Sequence, residues 1–173
     1  GLALSTLLLA IGVASVWVYQ LATTPVVVQA QHLLDSGKTA RAIGMLEHFL
    51  ENSPEHDDAP RGRLILAQTL LAGLDKEKHW PENRLNEIWS LLPQENPTWE
   101  TDAQRVALGV ARGQEQEQRL RLAEDAYRTL LQKGGSPDVG SELARVIMER
   151  NPDNVNEALH WLDRASNQLD SPT

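Results

Sequence analysis

The chain has 173 residues, no cysteine, and 16 basic against 24 acidic side chains, which gives a net charge of −8. This acidity argues against sequence-independent binding of nucleic acid, because such binding draws its affinity from a basic face. It also disfavours adsorption to anionic lipid. The lack of cysteine excludes a thiolate nucleophile and a zinc–thiolate site.

Residues 1–34 contain no Asp, Glu, Lys or Arg, and residues 2–21 are almost entirely apolar or small. A run of about twenty apolar residues matches the hydrocarbon thickness of a bilayer at helical rise. The sequence therefore predicts a single transmembrane helix over residues 1–22. The alternative is a cleaved secretory signal, for which residues 13–15 offer a weak small-residue cleavage site.

Four residues within this span have predicted roles in the membrane. Trp17 and Tyr19 fall where an interfacial aromatic belt is expected, and Ala10 and Ala14 form a small-residue face that could pack against another transmembrane helix. The first basic residue after the span is Lys38. Because basic residues are retained on the cytoplasmic side, we expect the following domain to lie outside the cytoplasm, in the periplasm of a bacterial host.

The rest of the chain is rich in Ala, Leu, Glu, Gln and Arg, which favours helices, and it lacks the β-branched runs that strands prefer. Its apolar spacing and turn residues predict an all-α domain. Eight amphipathic helices are expected: Pro25–Leu34, Thr39–Asn52, Arg61–Ala72, Asn83–Leu92, Asp102–Arg112, Gln114–Lys133, Asp138–Arg150 and Val155–Gln168.

These helices form four pairs, and their second helices share a pattern. After the turn residue Gly37 come the small residue Ala42, the large apolar residues Leu46 and Phe49, and the closing Pro54. Glycine permits the tight turn, the small residue allows close approach of two helices, and proline ends the helix. The same spacing recurs over residues 123–131 and 156–165. In these two units Gly109 and Ala144 are predicted to take the small position of the first helix, each fourteen residues before the small residue of the second helix.

This pattern resembles the second helix of a tetratricopeptide repeat, whose period is about 34 residues. The resemblance implies an α-solenoid domain over residues 23–170, with repeat units at about 23–56, 57–93, 101–135 and 137–170. The second unit is degenerate because its turn, at residues 74–81, is stretched. A neighbouring class of α-solenoid and an ordinary helical bundle remain alternatives.

The same resemblance implies a function that depends on shape. Tetratricopeptide proteins act as assembly scaffolds and adaptors, and their first helices line a groove that holds an extended peptide or a partner's helix. The family's groove positions correspond here to Arg61, Gln68, Ser141, Arg145 and Glu149. The alternative for such exposed polar residues is that water alone solvates them.

Four tryptophans follow the predicted span. Trp89 and Trp161 fall on helix faces and are expected in the core, whereas Trp80 and Trp99 lie in proline-containing loops. Loop tryptophans either pack as plugs or serve as hot spots for partner binding. The plug is the favoured interpretation, and Trp80 is the better candidate for an interface because its loop is an insertion into the repeat.

No catalytic motif is recognised in the sequence, so we expect neither an enzyme nor a cofactor or metal site. Residues 55–58, Glu-His-Asp-Asp, could hold a cation, but a polar loop between repeats explains them better. The carboxylates at Glu115, Glu117, Glu124 and Asp125 are interpreted as the polar face of a helix.

These observations predict a non-enzymatic, single-span scaffold or adaptor that assists assembly of a membrane or envelope complex. Its expected partners are proteins, in particular membrane-protein subunits, together with the lipid bilayer. The alternative is an accessory subunit of an energy-converting or transport complex, held by its span and the Trp80 loop. An enzyme or metal-dependent activity is a third and weaker hypothesis.

Overall fold

A computed structural model describes residues 25–169 of the chain, with side chains through residue 166. The predicted span, including Ala10, Ala14, Trp17 and Tyr19, lies outside the described residues. Within the part that is described, no helix combines the length and the apolar character needed to cross a bilayer.

The all-α prediction is confirmed, because residues 25–169 contain eight helices and no strand. In chain order these are α1 (Val26–Asp35), α2 (Thr39–Asn52), α3 (Ala59–Glu77), α4 (Glu82–Ser90), α5 (Thr101–Gln116), α6 (Leu120–Gln132), α7 (Val139–Arg150) and α8 (Val155–Leu169).

The chain divides into two compact units, Gly1–Gly62 and Arg63–Thr173, and the boundary falls inside α3. In the first unit α1 packs on α2, with Val27 and Ala30 of α1 fully buried. Ala42 and Leu46 of α2 are also fully buried. Gly37 turns the chain between the two helices at φ +76°, a left-handed conformation that glycine adopts without strain.

In the second unit the helices from α4 to α8 pack each on the next in chain order. A small residue on α5 brings this stack close to α3. A Cβ atom added at Gly109 would lie 2.5 Å from the side chain of Leu71, which is closer than two carbon atoms can approach. The prediction that Gly109 occupies a small position of a first helix therefore has a structural reason.

The predicted helix break at residue 113 is wrong, because α5 continues to Gln116 and α6 begins only at Leu120. Gly113 does not end a helix. Its missing side chain makes room for Trp80, whose Cε3 atom would lie 2.8 Å from an added Cβ. The turn comes later, where Gln118 adopts φ +56°.

The stretched turn of the second repeat is also shorter than predicted. α3 runs to Glu77, so the first residues of the expected polar insert are helical, and Lys78 ends the helix with φ +54°.

The linker before α5 is fixed by Trp99, which is almost fully buried. Its indole Nε1 donates to the carbonyl of Pro93 at 2.9 Å, and its backbone N–H donates to the carbonyl of Lys133 at 2.8 Å. The rings of Trp89 and Trp99 meet edge to face, with 5.6 Å between their centroids. Trp99 is therefore a packed plug. Trp89 and Trp161 were expected in the core, but both are only half-buried.

Candidate functional site

The first helices of the last two pairs, α5 and α7, lie side by side and share an exposed face. The guanidinium of Arg112 is 3.7 Å from the carboxylate of Glu142, and that of Arg145 is 2.7 Å from the carboxylate of Glu115. In both pairs the residue of α5 comes 30 positions before its partner on α7 in the sequence. The two helices therefore run parallel, and these ion pairs show their register.

Arg145 is the centre of this face. Besides Glu115, its guanidinium contacts Glu142 at 2.9 Å and Glu149 at 3.6 Å, and its side chain is 49% exposed. The hydrogen bonds to Glu142 and Glu115 raise the pKa of Arg145. Three carboxylates surround one cation, so the charge of Arg145 is neutralised within the chain.

A buried tyrosine holds Glu115 from the opposite side. Tyr127 on α6 is fully buried, and its hydroxyl donates to Glu115 at 3.0 Å. Burial and the neighbouring Glu115 carboxylate raise the pKa of Tyr127, so this hydroxyl keeps its proton and remains a donor. Glu115 is thereby fixed between the core and the exposed face.

The structure brings three of the five predicted groove residues together. Ser141, Arg145 and Glu149 are exposed at successive turns of α7 and share one face. Gln68 is half-buried on α3, and Arg61 is exposed on the part of α3 that belongs to the first unit.

Two further residues of the shared face were missed from the sequence. Arg105 and Arg112 are exposed on α5, one at each end of the same stripe. The two arginines are seven residues apart, and the apolar residues between them face inward. A helical projection of α5 therefore places both arginines on the same exposed side.

Trp80 is buried, with 5% of its surface exposed. Its backbone N–H donates to the Glu117 carboxylate at 3.0 Å, and its carbonyl accepts a hydrogen bond from Arg119. Its ring packs against Gly113. Burial is what the plug interpretation predicts, and it leaves little of Trp80 exposed for the interface that was assigned to this residue.

The interpretation of Glu124 as a solvated residue is wrong. Its carboxylate, only 8% exposed on α6, accepts hydrogen bonds from Arg128 at 2.8 Å and from Arg150 of α7 at 2.6 Å. Arg128 also pairs with Glu157 of α8. Burial alone would raise the pKa of Glu124, but the hydrogen bonds from Arg128 and Arg150 outweigh it and lower that pKa.

The remaining three carboxylates of that predicted polar face are placed differently from Glu124. Asp125 is exposed, whereas Glu115 and Glu117 are half-buried and hydrogen-bonded to other elements.

In the loop at residues 55–58, the ring Nδ1 of His56 accepts a hydrogen bond from the backbone N–H of Asp58 at 3.0 Å. Among residues 25–169 no group of three or more metal-ligating side chains comes together.

One open cleft of about 570 Å³ lies where α6 begins and α7 ends. Its charged lining mixes both signs: Glu82, Arg119, Arg121, Glu149 and Arg150. What this region offers chemically is an open surface that carries charges of both signs.

No family model matches the chain, and no curated protein matches it. Among solved structures, the chain is similar to one titled MamA AMB-1, with a TM-score of 0.56 at 14% sequence identity. The match covers 86% of this chain and 73% of that one. A likeness at this identity shows the fold, and the described domain is a tetratricopeptide-like arrangement of helices.

Proposed function

We propose that this chain is a non-catalytic, membrane-tethered scaffold that holds a protein partner on the shared face of α5 and α7. Its role is to assist assembly of a membrane or envelope complex, with the helical domain outside the cytoplasm. The tetratricopeptide-like fold supports the binding role, because first helices of such repeats offer a continuous surface to peptides and helices. The apolar, uncharged residues 1–22 support the tether.

The observation that carries the proposal is the fixed register of α5 and α7. Glu115 of α5 is held both by Arg145 of α7 and by the buried Tyr127, and this carboxylate joins the two helices without the help of Arg112. A surface already ordered in the free protein loses little conformational entropy when a partner binds.

On this face recognition falls to Arg105 and Arg112, not to Arg145. Arg105 is 70% exposed and has one short-range partner, Asp102, on its own helix. Arg112 is 56% exposed, and its partner Glu142 is also bonded to Arg145. Both arginines can therefore exchange their present contacts for a partner's carboxylate or carbonyl groups at small cost.

A second function is favoured by the neutralised charge of Arg145 and the burial of Trp80. Binding hot spots are enriched in tryptophan, tyrosine and arginine, and here the tryptophan and one arginine of the predicted sites are already engaged. In that case the chain is an accessory subunit of a larger membrane complex, and the contact is made by the span at Ala10 and Ala14.

One experiment separates the two functions. The full chain and its variants are purified from gently solubilised membranes, and copurifying proteins are quantified by mass spectrometry. We expect Arg105→Glu combined with Arg112→Glu to reduce recovery of the partner at least about tenfold, a loss of about 1.4 kcal/mol. Lys76→Glu combined with Arg84→Glu, an equal change of charge at exposed sites outside this face and outside the cleft, is the matched control and should leave recovery unchanged.

The accessory-subunit function predicts the reverse. Ala10→Leu and Ala14→Leu would then release the partner, while the double arginine reversal would leave it bound. Circular dichroism of each variant checks that the helices are retained, so a loss of partner can be assigned to the altered surface.

A further inference from the structure

The C-terminal end of α6, the turn that follows it and α8 enclose a cavity of about 260 Å³. Its walls include Leu131 of α6, Pro137 of the turn, and Trp161 and Arg164 of α8. A cavity of about 150 Å³ is large enough to hold a benzene ring. This one therefore has room for an aromatic or branched side chain. None of the residues that line it lies on the shared face of α5 and α7.

Glycines give this cavity a wall of main chain. Gly134 ends α6 with φ +88°, and the N–H of Gly135 donates to the carbonyl of Leu130 at 2.8 Å. A Cβ atom added at Gly135 would lie 2.8 Å from Leu130, and one added at Gly140 would lie 3.0 Å from the carbonyl oxygen of Trp161. The main chain of the turn and of α7 is thus already in contact with α6 and α8. Because these contacts fix the wall, the cavity is preformed, as ligand pockets usually are.

Arg164 is the charged residue among those that line the cavity. Its side chain is exposed, and its guanidinium lies over the ring of Trp161, 5.4 Å from the ring centroid. The attraction between a cation and an aromatic ring uses none of the N–H donors in a hydrogen bond to oxygen. The ring therefore orients Arg164 and leaves its charge and its donors available to another partner.

A second guanidinium near the same ring makes the contrast clear. Arg128 lies 6.0 Å from the centroid of Trp161, and it binds the carboxylates of Glu124 and Glu157. Within residues 25–166 no carboxylate forms an ion pair with Arg164. The cavity thus combines space for a ring with a cation that the described part of the chain does not neutralise.

The single guanidinium and the space beside it define the chemistry of a ligand. The fork of arginine donors matches a carboxylate, and the one charge of a carboxylate balances that of Arg164. A phosphate group carries nearly two charges at neutral pH, which is more than one guanidinium balances. Tryptophan and arginine are also among the side chains that contribute most to binding interfaces. The expected ligand is an aromatic or branched apolar group with a carboxylate beside it.

We propose that this cavity binds a short segment of a partner protein in which an aromatic or branched apolar side chain lies next to a carboxylate. The side chain fills the cavity against Trp161, and the carboxylate pairs with Arg164. The carboxylate belongs either to the C-terminus of the partner or to an acidic residue beside the apolar one. This site is separate from the shared face of α5 and α7 and goes beyond the function proposed for that face.

Small probes test the two parts of the site separately. N-acetylphenylalanine has both the ring and a terminal carboxylate, its amide lacks the charge, and N-acetylglycine lacks the ring. Acetyl-Asp-Phe-amide and acetyl-Asn-Phe-amide form a second pair, in which the carboxylate belongs to a neighbouring side chain. Each probe is titrated into the isotope-labelled full chain in a mild detergent, and the indole N–H signal of Trp161 is followed by NMR. Trp161→Phe identifies that signal by its loss.

We expect the signal to shift in a saturable way with a charged probe that contains a ring, at millimolar concentrations because the probes are small. N-acetylglycine and the neutral member of that pair should bind at least about fivefold more weakly. Tighter binding of N-acetylphenylalanine would identify the ligand as a C-terminus. Tighter binding of acetyl-Asp-Phe-amide would identify it as an internal segment.

Variants of the chain show which arginine is responsible. Arg164→Gln should reduce the affinity for the charged probes at least about fivefold and abolish the difference within each pair. Its side chain is exposed, so circular dichroism should show the helices unchanged. Arg41→Gln, the same change at an exposed site of α2, is the matched control and should leave binding unchanged. Arg105→Glu with Arg112→Glu should also leave it unchanged, because the two sites are separate.

Three outcomes would overturn the proposal. The first is an indole signal of Trp161 that no probe shifts. The second is equal binding of N-acetylglycine and the charged probes with a ring, which would mean that Arg164 pairs with any carboxylate and that the cavity takes no part. The third is a preference for the charged probes that persists in Arg164→Gln.

Discussion

The second unit contains two clusters built from the same residue types, and they differ in what lies at the centre. In the Glu124 cluster, formed with Arg128, Arg150 and Glu157, a carboxylate that is 8% exposed is held by two guanidinium groups. In the Arg145 cluster, formed with Glu115, Glu142 and Glu149, a guanidinium that is 49% exposed is surrounded by carboxylates.

The difference teaches that the number of ion pairs does not measure their contribution to stability. A carboxylate removed from water depends on its partners, and loss of one partner leaves a charge that nothing else solvates. An exposed guanidinium that loses a partner is solvated by water, and such pairs contribute about 0–1 kcal/mol. The Glu124 cluster joins α6, α7 and α8 and is structural, whereas the Arg145 cluster mainly shapes a surface.

Removal of Arg128 should have the largest effect. Arg128→Met keeps the aliphatic stem but leaves Glu124 with a single partner and Glu157 with none. We expect the free energy of unfolding to fall by about 2–3 kcal/mol, below the range for fully buried pairs because Arg150 is partly exposed. Urea denaturation followed by circular dichroism measures it.

The matched control for that variant lies on the same helix. Arg121 is 77% exposed and is 3.9 Å from Asp125. Arg121→Met should therefore change stability by less than about 0.5 kcal/mol. If both variants cost the same, the contrast between buried and exposed clusters is refuted.

The Glu124 cluster should also determine how stability depends on pH. The hydrogen bonds from the arginines outweigh burial and lower the folded-state pKa of Glu124 below its ordinary value of 4.5. A lowered pKa stabilises the fold above the unfolded pKa, and this stabilisation is lost as the pH falls through the folded pKa. Glu124→Gln should therefore flatten the loss of stability between about pH 5 and pH 3.

Asp125→Asn controls for the general loss of charge in acid. Asp125 adjoins Glu124 in sequence but is exposed. The slope of stability against pH should stay that of the unaltered chain in this variant. A flattened slope with Asp125→Asn would mean that overall charge, not the buried carboxylate, determines the acid response.

The helices were predictable because their signals are local. Apolar spacing and turn residues predicted α2 with the bounds that the structure has, Thr39–Asn52. The small position at Gly109 followed from the repeat. Gly113 was misinterpreted because its role comes from Trp80, a residue distant in the chain that packs against it.

The candidate site was predictable only in part, for the same physical reason. The positions of Ser141, Arg145 and Glu149 follow from helical periodicity. What Arg145 binds depends on α5, which lies beside it only in the folded chain. The burial of Glu124 had a local signal, since it lies between Ala123 and Tyr127 on the apolar side of α6, but its partner on α7, Arg150, had none.

Tyr127 connects the exposed cluster to the core, and its hydroxyl should make an intermediate contribution. Tyr127→Phe removes one hydrogen bond to Glu115 and leaves Arg145 to hold that carboxylate. We expect a loss of about 1–2 kcal/mol, since the acceptor is charged and partly buried.

A pH titration of absorbance at 295 nm tests the same contact in the unaltered chain. The pKa of Tyr127 is raised above its ordinary value of 10.0, so ionisation is disfavoured in the fold and stability falls as the pH rises beyond that value. The absorbance change that Tyr127→Phe abolishes should appear only where circular dichroism shows unfolding. A tyrosine that ionises near pH 10 with the helices intact would contradict this.

The smallest effect is expected for Arg145, although it makes more ion pairs than any other residue of its cluster. Arg145→Ala should lower the free energy of unfolding by less than about 1 kcal/mol, and salt should diminish even that. Removal of the cation leaves Glu115, Glu142 and Glu149 as neighbours, so repulsion among carboxylates contributes to the measured loss. Combination of Arg145→Ala with Glu142→Gln relieves that repulsion and should recover part of the stability. A single loss as large as that of Arg128→Met, with no recovery in the double variant, would place Arg145 among the structural residues and would remove the basis for separating the two clusters.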